Sequence, residues 1–186
     1  IPLSLKWLKK VYKEYIDEHE SHFKDKGIGT KLIHSGNEPD YVHGGVTVPI
    51  SLSTTFAQHT PGNPFGAFEY ARTSNPTREH LERQIASAEG AQFALSCASG
   101  CAITTTILQM IKTGEEVVCI DDVYGGTQRY FRRVSEESHN IKFIFSPMDD
   151  LLKVKELLTE KTRLVWLESP TNPTLKMTDI PALVKV

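Results

Sequence analysis

Long apolar runs are missing from this 186-residue sequence, which excludes membrane-spanning helices, since those need about 20 consecutive apolar residues. The opening Ile1-Pro2-Leu3-Ser4-Leu5-Lys6-Trp7 lacks the apolar core of a secretory leader. A surplus of either charge is missing too: 21 basic residues face 23 acidic ones, a net charge of -2, so no general basic field invites nucleic acid. Cysteine is scarce and odd in number. Cys97, Cys101 and Cys119 sit in apolar surroundings, which favours reduced thiols with packing roles over disulfides or a metal site. Internal repeats and low-complexity stretches are absent. A soluble, cytoplasmic protein without membrane or nucleic-acid partners is the expectation, long enough for one core or a large part of a bigger one. It opens on Ile1 rather than Met, so a fragment or a processed product is expected.

Against that background the stretch around Ser99-Gly100 organises the rest. Ala91-Gln92-Phe93-Ala94-Leu95 reads as a short core strand, and Ala102 to Ile111 has apolar residues at helical spacing. Ser99 is then the N-cap, and Gly100 leaves backbone room for a ligand beside the free amides of the first turn. Two readings stand open on this stretch alone: a plain helix cap, which small residues supply far more often, and a phosphate site.

Earlier in the chain, Leu8 to Phe23 reads as a charged amphipathic helix with Leu8, Tyr12, Tyr15 and Ile16 on one face. Gly27 to Gly45 should be extended, Val46 to Phe56 an extended wall in which Pro49 blocks a ladder, and Gln58 to Gly66 a loop. Asn75 as N-cap and Pro76 at the first helical position start a helix carried by Leu81, Ile85 and Ala88 and ended by Gly90. Just ahead of it, Tyr70 and Arg72 stand at i, i+2, so extended backbone sends both side chains to one side.

Downstream, Glu116 to Ile120, Ile141 to Phe145 and Arg163 to Leu167 read as buried strands, Asp150 to Leu158 as an amphipathic helix, and a further helix starts around Thr178 to Pro181. Alternating strands and helices imply a largely parallel sheet. Tyr124, Ser99 and Asn172 then belong to one edge, beyond the carboxyl ends of the strands, where such sheets bind ligands.

Taken together, Tyr70-x-Arg72-x-x-Asn75-Pro76-Thr77, Ala98-Ser99-Gly100, Asp121-Asp122-Val123-Tyr124-Gly125-Gly126-Thr127-x-Arg129-Tyr130-Phe131 and Glu168-Ser169-Pro170-Thr171-Asn172-Pro173-Thr174 resemble the Cys/Met-metabolism family of pyridoxal-phosphate enzymes. The resemblance runs from about His22 to the end, and four motifs in register make it specific. It implies a three-layer α/β/α fold of the aspartate aminotransferase-like type with a mainly parallel sheet, here incomplete. Residues 1–66 would be an arm and extended wall, and 67–186 the first part of the cofactor-binding domain.

The family's site roles carry over onto matching positions. The backbone of Ser99, Gly100 and Cys101 would hold the cofactor phosphate; Tyr70 and Arg72 would reach the phosphate of a neighbouring subunit. Tyr124 would stack on the cofactor ring and steer protons, Asn172 would bond the ring hydroxyl, and Glu69 and Arg129 would lie near the substrate's distal end. The implied activity is α,γ-elimination of cystathionine to cysteine, 2-oxobutanoate and ammonia by a homotetramer built from dimers with shared sites. Alternatives are synthesis of cystathionine, cleavage of methionine, or a non-catalytic chain that binds full-length subunits. The family's cofactor-bearing lysine follows a Ser-x-Thr context that no lysine here has, so the fragment alone is expected to be inactive.

Overall fold

A computed structural model describes residues 5–186, with side chains from Lys10 onward. These residues form two compact units, one reaching Ser96 and the other spanning Cys97–Val186.

The first unit contains α1 (Leu5–Phe23), α2 (Ile28–His34), a small antiparallel pair β1 (Gln58–Thr60) and β2 (Asn63–Pro64), and α3 (Pro76–Glu89). The α3 caps follow from chemistry: Asn75 Oδ1 accepts from the amides of Thr77 and Arg78 at 2.9 and 3.3 Å, and Gly90 ends the helix in the left-handed region at φ 66°. One buried ionic knot joins α1, the segment after α2, and α3. Arg83 forks onto Glu38 at 2.9 and 2.5 Å, while Glu20 accepts from the Gly36 amide at 2.6 Å. Gly36 sits at φ +66°, and a Cβ there would stand 2.5 Å from the His80 carbonyl, so only glycine fits. Burial pushes the Glu38 carboxyl up, but hydrogen bonds and charge from Arg83 outweigh it and leave it below the ordinary value.

Several expectations for this unit need correction. The segment read as extended from Gly27 to Gly45 contains α2, whose Ile28, Leu32 and Ile33 have helical spacing but stay exposed. The segment read as a loop from Gln58 contains β1 and β2, turned at Gly62 with φ +75°. Ala91 to Leu95 forms no strand: Phe93 and Leu95 are 78% and 83% exposed, and no described strand pairs with the segment. Its ends are held locally instead, by the Ala91 amide on the Ala86 carbonyl and by Ser96 on Glu82. Tyr15 and Ile16 are half-buried and Tyr12 is exposed, while the Leu8 side chain lies outside the described residues. Residues 46–56 form no strand ladder: the chain bends at Val46, Thr47 and Thr54 and makes one bridge, from Thr55 to Tyr70.

The second unit is built on a parallel sheet of order β4-β3-β5, with β3 (Glu116–Ile120) between β4 (Lys142–Ser146) and β5 (Thr162–Trp166). Around it run α4 (Gly100–Leu108), α5 (Gly125–Tyr130), a π-helical stretch Phe131–Glu136, α6 (Glu137–His139), α7 (Leu151–Leu157) and α8 (Ile180–Leu183). Every residue of β3 is buried, which is why Val117 to Ile120 reads as a continuous apolar run rather than an alternating one. Phe131 is fully buried, stacked on Phe143 at 4.4 Å and edge-on to Trp166 at 5.3 Å. Such burial contributes about 1.5 to 3 kcal/mol for one large side chain.

Two further expectations are revised here. Cys119 is buried in the core, and its burial pushes the thiol up to about 12, but Cys97 and Cys101 are exposed and do not pack. α4 ends at Leu108, three residues before Ile111.

Candidate functional site

Parallel pairing fixes where the candidates go. Cys119 of β3 registers with Trp166 of β5, so the residues just after both strands, Asp121 to Tyr124 and Glu168 to Asn172, emerge at one sheet edge. α4 begins with Ser99, whose Oγ accepts from the Ala102 amide at 3.1 Å. The amides of Gly100 and Cys101 open the helix and have no acceptor within it. A Cβ added at Gly100 would meet no heavy atom within 4 Å, and both residues are exposed, so a ligand can approach the backbone at the start of the helix. Thr104, Thr105 and Thr106 spend their hydroxyls on the carbonyls four residues back, at 3.0, 2.9 and 2.8 Å.

Ser99, Gly100, Cys101, Tyr124 and Asn172 line one cavity of about 550 Å³, together with Trp166 and Glu168 among others. That volume suits a small molecule. Tyr124 is 50% exposed, and its ring lies close over Gly126, where a Cβ would come within 2.6 Å of Cε1. Free amides at a helix start hold an anion, and a tyrosine ring offers a flat apolar face. The cavity therefore matches a flat ring carrying an anionic end. Cys101 and Tyr124 also border a second cavity of about 480 Å³ with Arg129 and Arg133, which places the Arg129 candidate beside the same tyrosine.

Glu69, Tyr70 and Arg72 form their own group in the first unit. Tyr70 opens a turn in which its carbonyl accepts from the amides of Thr73 and Ser74 at 3.0 Å, so the backbone after it is not extended. The Arg72 guanidinium carbon stands over the Tyr70 ring, 5.1 Å from its centre. Both side chains are thus brought together, by a cation–π contact rather than side by side. Glu69 accepts from Gln58 Nε2 at 2.8 Å.

Sequence reasoning quoted Asp121, Asp122, Glu168 and Thr171 without giving them work. Asp122 Oδ2 accepts from Thr171 Oγ1 at 2.5 Å and from Thr174 Oγ1, bonds that hold its carboxyl below the usual range. Lys176 Nζ stands 3.0 Å from Asp121, and the Tyr124 amide donates to Glu168. The available signal was an acid at the carboxyl end of each of two neighbouring strands. Elsewhere, His19, Glu20 and Glu38 lie close enough to share a cation, but Arg83 occupies both Glu38 oxygens. Among the described residues no helix is long and apolar enough to cross a membrane.

The family described as Cys/Met metabolism PLP-dependent enzyme matches residues 29–186. The chain is 52% identical over 156 residues to a cystathionine gamma-lyase of Dictyostelium discoideum, covering 84% of this chain and 40% of that protein. It is 46% identical over 162 residues to a probable cystathionine gamma-synthase of Herpetosiphon aurantiacus, covering 87% and 50%. The solved structure of metB from Corynebacterium glutamicum superposes with a TM-score of 0.83 at 38% identity, covering 87% of this chain and 42% of that one. The chain thus spans 40% to 50% of the length of these curated relatives.

Proposed function

The chain belongs to the Cys/Met-metabolism family of pyridoxal-phosphate-dependent enzymes, and from that premise we propose that it supplies the phosphate cradle and one face of the ring site of a carbon–sulfur lyase acting on cystathionine. The observation that carries the reading is the common cavity of Ser99, Gly100, Cys101, Tyr124 and Asn172. Its residues fit the cofactor: the exposed backbone at Gly100 and Cys101 suits a phosphate, and Tyr124 suits a pyridine ring.

The roles follow from donor chemistry. The Gly100 and Cys101 amides bind phosphate oxygens with the positive end of the α4 dipole behind them. An amide is the donor, so the cysteine side chain at 101 is tolerated. Tyr124 would stack on the ring, a contact worth about 0.5 to 1.5 kcal/mol beyond its buried area, and its hydroxyl would pass protons at the substrate carbons. The Asn172 amide donates to the ring hydroxyl. Arg129 and Glu69 bind the distal end of the substrate, and Tyr70 with Arg72 serve the phosphate of a neighbouring subunit in a tetramer of dimers. When bound, pyridoxal phosphate supplies the electron sink that lets protons leave the alpha and beta carbons and the thiol leave the gamma carbon. The products would be cysteine, 2-oxobutanoate and ammonia, in the cytoplasm. No lysine of this chain has the Ser-x-Thr-Lys context, so none is assigned the cofactor-bearing role and the 186 residues alone are inactive in this reading.

Resemblance to a probable synthase keeps synthesis of cystathionine as the second reading. The phosphate cradle is tested by titrating the full-length apoprotein with pyridoxal phosphate and with pyridoxal. Clear preference for the phosphorylated form is expected; equal affinity would overturn the cradle.

A further inference from the structure

We infer that Glu168 is the positioning residue of Tyr124, holding the stacking ring in place through the tyrosine's backbone amide; the inference rests on the reading of the cavity given above. Tyr124 is the N-cap residue of α5, yet its side chain makes no capping hydrogen bond. The tyrosine hydroxyl lies at the far end of its ring, out of reach of the first amides of its own helix, so the exposed end needs another acceptor. Glu168 provides it from the end of β5. Both of its carboxylate oxygens lie 3.1 Å from the Tyr124 amide nitrogen, an ionised acceptor at the positive end of a helix.

The surroundings make this contact a positional one. The loop carrying Tyr124 and the loop carrying Glu168 are joined again where Asp122 accepts from Thr171 and Thr174. Glu168 is therefore held on a segment that is already fastened to the Tyr124 loop, and cannot drift independently of it. The absence of a Cβ at Gly126 lets the ring lie flat beside the backbone, so the amide tether and the space under the ring together define its place. Glu168 also borders the cavity, which makes a direct effect on the ligand the competing explanation.

A double-mutant cycle on cofactor affinity separates the two. The full-length protein is titrated with pyridoxal phosphate, and the circular dichroism of the bound cofactor is recorded, for Glu168→Ala, Glu168→Gln, Tyr124→Ala and the double variants. Glu168→Ala should weaken binding about tenfold, the loss of one charge-assisted hydrogen bond, and reduce the cofactor's dichroic signal. Glu168→Gln keeps one acceptor oxygen and should lose about threefold. In the Tyr124→Ala background neither change should weaken binding further. An equal loss with and without the Tyr124 ring would overturn the assignment while leaving the cavity reading intact. Were Glu168→Ala to lose its fold, the Glu168→Gln arm alone carries the cycle. Failure of every form, the unaltered protein included, to bind pyridoxal phosphate would instead overturn the cavity reading and this inference with it.

Discussion

Replacing Gly126 with alanine should leave the fold as stable or more stable and weaken the cofactor site at the same time. The added Cβ would stand 2.6 Å from Cε1 and 3.3 Å from Cδ1 of Tyr124, against ordinary carbon contacts of about 3.5 to 4.0 Å. The ring must therefore retreat by about 1 Å. It can do so cheaply, because the nearest atoms belong to a half-exposed side chain and not to backbone. In the helix, alanine in place of glycine is favourable by up to about 1 kcal/mol, less near an end. On the ligand side, a displaced ring forfeits a stack worth about 0.5 to 1.5 kcal/mol, or roughly two- to twelvefold in dissociation constant. Thermal unfolding of the apoprotein and a pyridoxal phosphate titration of the full-length protein read the two effects separately. Unchanged affinity together with lowered stability would refute the placement of the ring by the space at Gly126.

Arg72→Ala should weaken cofactor binding by about 1.5 to 3 kcal/mol, with Arg72→Lys recovering only part because the planar fork is lost; cofactor titration of both variants checks this, and unchanged affinity in both would contradict it. If Arg72 serves a neighbouring subunit, refolding Arg72→Ala together with Tyr124→Ala should restore one whole site per mixed dimer and raise activity well above the average of the two; confirmed mixed dimers without a gain would place Arg72 in its own chain's site. Removing the Glu38 charge by Glu38→Gln should cost about 3 kcal/mol of first-unit stability at neutral pH, at the lower end for breaking a buried pair, because Arg83 still has Glu20 nearby. Since the folded carboxyl titrates below its ordinary value, Glu38's contribution is fully present above the ordinary carboxylate range and lost as pH falls through the folded value. Urea unfolding from pH 7 downward should therefore show a steeper acid loss in the unaltered protein than in Glu38→Gln.

What could be read from sequence was what local chemistry decides. β3 falls on its expected bounds and β4 and β5 within a residue of theirs; β3, central in the sheet, is buried along its whole length, and the other two keep enough apolar residues to show beside it. The caps at Asn75 and Ser99 were legible because one side-chain acceptor answers a free amide two or three residues on. Ala91 to Leu95 was misread because a strand exists only through a neighbour, and composition does not say whether one is there. α2 hid behind Gly27 and Gly29, and α5 opens on Gly125 and Gly126, which are poor helix formers and give no helical signal. In the site, residue types and spacing pointed to Ser99, Gly100, Tyr124 and Asn172, but the ties of Asp122 to Thr171 and of Tyr124 to Glu168 span 49 and 44 residues. No local pattern announces bonds of that range.

Product analysis is the most direct test of the functional claim. Full-length protein loaded with pyridoxal phosphate and given cystathionine should release cysteine, 2-oxobutanoate and ammonia in equal amounts, and withholding the cofactor should abolish the release. A loaded protein that leaves cystathionine intact, or that cleaves methionine in its place, would contradict the assignment.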